Sequence, residues 1–158
     1  MTGPKPTILV IGVGNEYRSD DGVGIVAARR LRECFGTEIT VLEETGEGAA
    51  LMEAWHSATW VLLVDAVHSG APPGTIHRFD ARAAPLPAEL FHCSTHAFSV
   101  AEAIELARSL EQLPAHLIVY GVEGEKFDAG VGLWPAVAQA VETLVARAAE
   151  EISEALLM

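Results

Sequence analysis

A chain of 158 residues has the size of one ordinary domain, and a single domain spanning residues 1–158 is expected. Half of the residues are hydrophobic and 20% are charged, which excludes an intrinsically disordered chain. Lys and Arg total 10 against 22 Asp and Glu, and the formal charge of -12 argues against nucleic acid or an anionic membrane as a partner.

The first element is the apolar run Thr7-Ile8-Leu9-Val10-Ile11, a buried strand that stops at the glycine turn Gly12-Val13-Gly14-Asn15. Asp20-Asp21-Gly22-Val23-Gly24 then opens a helix predicted over residues 21–32, with Val23, Val26, Ala27, Leu31 and Cys34 at helical spacing and Asp20 placed to cap it. A second strand is expected at 38–42, rich in β-branched residues, before Thr45-Gly46 and the turn Gly46-Glu47-Gly48. A short helix at 49–56 leads to Thr59-Trp60-Val61-Leu62-Leu63-Val64, whose continuous apolar character marks a central parallel strand ending at Asp65. After the turn Gly70-Ala71-Pro72-Pro73-Gly74, the alternating residues 75–80 read as a less buried strand nearer an edge.

Residues 81–93 look irregular. Ser94 or Thr95 is positioned to cap an amphipathic helix with Phe98, Ala101, Ile104, Leu106, Ala107 and Leu110 on its apolar face. A strand at 117–122, a glycine-rich loop at 123–132 and a helix at 135–156 follow. Strands alternating with helices place the chain in the α/β class, as a three-layer α/β/α sandwich with a mainly parallel sheet of about five strands. In such a sheet the first strand commonly lies between the second and third, and the ligand crevice opens at the carboxyl ends of strands one and three, here near Asn15 and Asp65.

A dinucleotide site is the first chemistry to test and its pattern breaks, because the third glycine of G-x-G-x-x-G falls on Tyr17 and the helix start carries Asp20 and Asp21. There is no phosphate-binding G-x-x-x-x-G-K-[ST] loop and no G-x-S-x-G elbow. Asp21 and Asp65 should instead converge on one crevice, with His96 at the entry to a later helix. Oxygen and imidazole donors suit zinc or nickel, and three protein ligands leave a coordination position open. Each residue also has a plain structural reading: Asp20 and Asp21 as helix-start residues, Asp65 as a strand terminus, His96 as an ordinary helix-start residue. Of the other histidines, His68 lies three residues after Asp65 and is placed to line the crevice, whereas His56, His77, His92 and His116 read as bystanders. Cys34 and Cys93 form no disulfide framework, and Cys93 is not taken as a nucleophile.

Taken in order, the G-x-G-N turn, Asp20-Asp21-Gly22-x-Gly24, Thr45-Gly46, Val64-Asp65-Ala66, Pro73-Gly74-Thr75, Ser94-Thr95-His96, Gly121-Val122-Glu123 and Gly132-Leu133 make a chain that resembles the hydrogenase maturation endopeptidases over nearly its whole length. The resemblance implies a peptidase that removes a short C-terminal extension from the large-subunit precursor of a nickel-iron hydrogenase after its metal centre is assembled. It assigns metal contact to Asp21, Asp65 and His96, with nickel supplied by the precursor, and precursor recognition to the Gly46 loop. Attack by water is then expected, with Asp20 or Glu16 as candidate base. The chain departs from the family pattern in carrying Asp21 where many relatives have Glu, Trp134 where Ser or Thr is frequent, and Gly124 in place of a proline. A cytoplasmic location is expected, since the N-terminal run is too short for a signal-peptide core, and a monomer, since a site that must admit a folded large subunit needs open surface around its crevice. The alternative from another class is a metal or precursor chaperone that binds without cutting.

Overall fold

The structure, a computed structural model, describes residues 5–91 and 99–158. Its strands are β1 (Ile8–Val13), β2 (Thr40–Glu44), β3 (Trp60–Val67), β4 (Ile76–Asp80) and β5 (His116–Glu123), and its helices α1 (Val23–Phe35), α2 (Gly48–Trp55), α3 (Val100–Ser109) and α4 (Pro135–Leu156). One sheet holds all five strands in the order β2-β1-β3-β5-β4. The first four run parallel, and β4 closes the edge antiparallel to β5. This is the expected α/β architecture, with the first strand between the second and third and residues 76–80 at an edge.

Strand alternation builds two cores. Val10 of β1, Leu62 and Val64 of β3 and Tyr120 of β5 face α1 and α4 on one side, packing with Leu31 and Leu144. Ile11, Leu63 and Val119 face the opposite side and meet Leu51 of α2 and Ile104 of α3. The central strands are apolar at consecutive positions because both faces are covered. Helix α4 is pinned to the sheet edge where the Tyr120 hydroxyl donates to Glu151, which also pairs with Arg78. Burial, and next the hydrogen bond to Glu151, push the Tyr120 hydroxyl up to about 12.

Several boundaries move relative to expectation, each for a local reason. Asp21 precedes α1 in a 3-10 turn, Ser19–Gly22, and Asp20 makes no cap to α1; the N-cap is Gly22, with no side-chain hydrogen bond. The second strand starts at Thr40, because Gly36–Glu38 forms another short 3-10 turn. Asp65 lies within β3 and not at its end, since Ala66 and Val67 continue pairing with Val122 and Glu123. Helix α3 begins at Val100, capped by the Ser99 hydroxyl that accepts from Glu102 N–H, so the expected caps Ser94 and Thr95 precede it outside the described residues. Leu106 and Leu110, expected on the apolar face of that helix, are exposed.

One contact sets how close α1 comes to the sheet. A Cβ on Gly24 would stand 2.3 Å from the Val64 carbonyl oxygen and 2.5 Å from that of Val13, and one on Gly12 would stand 2.4 Å from the Gly24 carbonyl oxygen. These neighbours are backbone atoms that cannot turn aside. Gly24→Ala is therefore expected to destabilise the chain by about 3 kcal/mol or more, measured as the shift of the urea unfolding curve.

Candidate active site

The turn after β1 is shaped by its own hydrogen bonds. Gly14 has φ +142, and a Cβ there would sit 1.9 Å from the Asp21 carbonyl oxygen, so no side chain fits. Asn15 N–H donates to Asp21 Oδ2 at 3.0 Å and to the Asp21 carbonyl at 3.3 Å. Asn15 Oδ1 in turn accepts from Tyr17 N–H at 2.9 Å, and Gly14 N–H ties the turn to Glu44 of β2 at 2.9 Å. Asp21 is thereby held at the carboxyl ends of β1 and β3, half-buried.

Asp65 reaches the same crevice from β3. By strand alternation with Leu63 and Val67 it lies on the α2–α3 side of the sheet. Its Oδ1 accepts from Ala66 N–H at 2.8 Å. Part of its surface stays accessible although protein surrounds it on most sides, and that desolvation raises its pKa well above the ordinary carboxylate value, with the Asp21 charge as the second cause. The Asp21 pKa is also raised, by burial against the opposing pull of Arg18. The structure thus brings these two expected residues together, and Asp21 Oδ1 and Asp65 Oδ2 make no hydrogen bond among the described residues.

His96, the third expected ligand, lies outside the described residues, as do His92 and Cys93. Among the described residues no group of three His, Cys, Asp or Glu side chains could hold a metal ion. Two like-charged carboxylates with raised proton affinity fit a divalent cation, which would relieve both desolvation and mutual repulsion. They form an open pair and not a closed cage.

Other expected residues take different places. Gly46 is buried against Val13, its hypothetical Cβ 3.1 Å from Val13 Cγ1, on the rim beside the Gly14 turn. Glu16 is engaged by Arg29 at 2.9 and 3.2 Å, and Arg29 also grips Glu43. His68 is exposed and stands edge-on to Phe127, with ring centroids 5.6 Å apart.

Asp20 is fully buried: its Oδ2 accepts from Glu125 N–H at 2.7 Å and Lys126 N–H at 2.9 Å, and its Oδ1 from Trp134 N–H at 2.7 Å. It is the clamp of the 124–134 loop, not a free base. Glu123 is equally buried at the end of β5, accepting from Ser69 N–H, the Ser69 hydroxyl and His77 Nε2. Sequence reasoning missed both roles, although for Glu123 the signal was an acidic residue ending an apolar strand.

A mainly parallel sheet with a carboxylate pair near the carboxyl ends of its central strands defines an α/β protein with an acidic crevice at its topological switch point. Comparison with known proteins gives the family: the profile of the Hydrogenase maturation protease family (HycI) matches residues 25–151, and the chain belongs to that family. It is accordingly a peptidase, a hydrolase of peptide bonds. The match takes in Asp65 and His96 and begins just after Asp21.

Among its relatives, the hydrogenase expression/formation protein HupD of Thiocapsa roseopersicina is 29% identical over 152 residues, covering 94% of this chain and 69% of the relative. The Hydrogenase 2 maturation protease of Escherichia coli K12 is 28% identical over 153 residues, covering 94% and 90%. The solved hydrogenase maturating endopeptidase HybD from E. coli superposes with TM-score 0.78 at 22% identity, covering 94% of this chain and 93% of that one, a likeness of fold. A [NiFe] hydrogenase maturation protease HybD from Thermococcus kodakarensis gives TM-score 0.70 at 25% identity, covering 91% and 97%.

Two outcomes follow from this geometry. Asp20→Ala strands three buried N–H donors and should cost about 3 kcal/mol of stability, read by chemical denaturation, with Trp134 fluorescence reporting release of the loop. For Asp65 the folded chain binds a proton more tightly than the unfolded chain, so its stabilising effect is full below the ordinary value of 3.8 and is lost as pH rises through the raised folded-state pKa. Metal-free Asp65→Asn should therefore melt higher than the parent at neutral pH and show a flatter fall in stability as pH rises above 3.8.

Proposed function

We propose that the chain removes a short C-terminal extension from the large-subunit precursor of a nickel-iron hydrogenase after nickel insertion, with Asp21, Asp65 and His96 completing the coordination of nickel carried by the precursor. The observation that carries this reading is the Asp21–Asp65 pair: two carboxylates from separate elements, both raised in pKa by burial and Asp65 further by the Asp21 charge, with one oxygen of each making no hydrogen bond among the described residues. A site with so few protein donors is suited to an ion that arrives with other ligands of its own. Zinc suits the same donors and is the competing ion.

Hydrolysis adds water to the scissile carbonyl carbon and returns a proton to the departing amine. When bound, the metal polarises that carbonyl or acidifies the water. The chain's own part is to orient the tail and to manage the proton. Asp20 is occupied by three backbone donors and Glu16 by Arg29, which leaves Asp65 Oδ2 and Asp21 Oδ1 to accept it. Burial, which raises proton affinity, favours Asp65 of the two for that task. The Gly46 loop, on the rim beside Val13, is placed in this reading against the precursor. A crevice that admits a folded subunit needs open surface around it, so the chain acts in this reading as a monomer, in the cytoplasm.

The test is the mass of the large subunit after incubation with the purified chain. Nickel-loaded precursor should lose its extension, nickel-free precursor should keep it, and Asp21→Ala, Asp65→Ala or His96→Ala should each reduce processing by about a thousandfold or more. An unchanged mass with the parent chain would instead mark a chaperone that binds without cutting, and full processing by the three variants would remove the site.

A further inference from the structure

Three large apolar side chains stand exposed around the Asp21 turn: Tyr17 at 66%, Val131 at 80% and Trp134 at 47%. They come from two segments joined by hydrogen bonds. Gly130 N–H donates to the Tyr17 carbonyl at 2.9 Å, Ser19 N–H donates to the Gly130 carbonyl at 2.9 Å, and Trp134 N–H donates to Asp20 Oδ1 at 2.7 Å. All three therefore hang from the backbone that holds Asp21. Tyr17 also lines a cavity of about 320 Å3 together with Gly14, Asn15, Glu44 and Thr45.

None of the three is explained by folding. Trp134 occupies the N-cap position of α4 and makes no side-chain cap there, where Ser, Thr, Asp or Asn would satisfy a free N–H. Val131 projects between Gly130 and Gly132, both at positive φ, from a turn that has no need of a β-branched apolar residue. Isolated exposed apolar groups are ordinary, but three on one hydrogen-bonded rim beside a reactive crevice are not.

We propose that Tyr17, Val131 and Trp134 form the docking surface for the body of the hydrogenase large-subunit precursor, seating it while its tail enters the crevice. The inference rests on the reading of Asp21 and Asp65 as the cutting site. A protein that carries a peptide bond to Asp21 passes beside this rim, because Tyr17 lies in the Asp21 turn and the loop of Val131 and Trp134 is hydrogen-bonded to it. The charge around it points to the partner's chemistry. Glu125 and Asp128 are exposed on the same loop and Glu44 borders the cavity beside Glu43, which Arg29 and Arg32 pair, and Arg18 and Lys126 offset the first three only in part within a chain of charge -12. The matching face is an apolar patch with a basic surround, so salt should slow association.

The experiment follows processing of nickel-loaded precursor against concentration of the chain, for the parent, Val131→Ser and the double variant Val131→Ser/Trp134→Ser. The half-saturating concentration should rise about tenfold in the double variant and less in Val131→Ser, with the loss recovered at saturation. Val131→Ser alters only an exposed turn tip and keeps the test valid if Trp134→Ser disturbs α4. An unchanged half-saturating concentration in folded variants overturns the proposal, as does a parent dimer that Trp134→Ser dissolves, because the patch would then be a self-association surface. Asp65→Asn run in parallel separates the two ideas: it tests the cutting site and should leave the precursor uncut at every concentration. If it cuts at the parental rate, the site reading fails while weakened binding by Val131→Ser still supports docking.

Discussion

The structure depends on a backbone-to-backbone contact with no side chain in it. Gly24 lets the first turn of α1 rest on the carbonyl oxygens of Val13 and Val64, the ends of the buried runs of β1 and β3. Asp21 lies three residues before that contact and Asp65 one residue beyond it, so their approach is a consequence of helix-to-sheet distance. Gly12 and Gly14 serve the same end from the β1 side, the first by admitting the Gly24 carbonyl and the second by admitting that of Asp21. A larger residue at any of them would push the helix start outward and separate the carboxylates.

Two adjacent aspartates in this turn have opposite fates, and the difference explains the site. Asp20 turns inward and satisfies three N–H groups of a loop more than a hundred residues away in sequence, so its burial is compensated. Among the described residues Asp21 is compensated by Asn15 N–H and the Arg18 charge, and Asp65 by Ala66 N–H. Like charges left facing each other cost stability in the empty protein, a pattern that marks function more often than architecture. A bound cation would offset that cost.

Much of this was legible in the sequence, because it rests on periodicity and punctuation. The unbroken apolar runs at Ile8 and Trp60, the helical spacing of Val137, Val141 and Leu144, and the glycine turn before Asp21 each report a local rule that tertiary contacts reinforce. Errors arose where distant partners decide. Asp65 continues as strand because Gly121 and Val122 lie beside it, a pairing invisible at position 65. Leu106 and Leu110 are apolar, yet the buried face of α3 is Val100, Ala101, Ala103, Ile104 and Ala107, and Leu106, two residues from Ile104, falls on the opposite side of the helix. Asp20 resembled a helix cap because short polar residues before helices usually are; its real partners sit at 125, 126 and 134, beyond the reach of any local pattern.

The crevice walls are held independently of the charge pair between them. On one side Asp20 gathers the 124–134 loop; on the other Glu123, at the end of β5, gathers Ser69 and His77 and so fixes the segment that follows β3. Both anchors are buried acceptors saturated by N–H and O–H donors, which makes them stiff. Neither uses Asp21 or Asp65. The carboxylates are thus mounted on a frame that does not need their attraction to anything to keep its shape, and it does not relax when they repel. A preorganised pair of this kind spends no reorganisation energy when a cation or a polarised carbonyl arrives, which is the condition under which a small number of donors can act strongly. The frame also carries the exposed rim of Tyr17, Val131 and Trp134, so a protein seated there is placed relative to Asp21 by covalent and hydrogen-bonded connections only a few residues long.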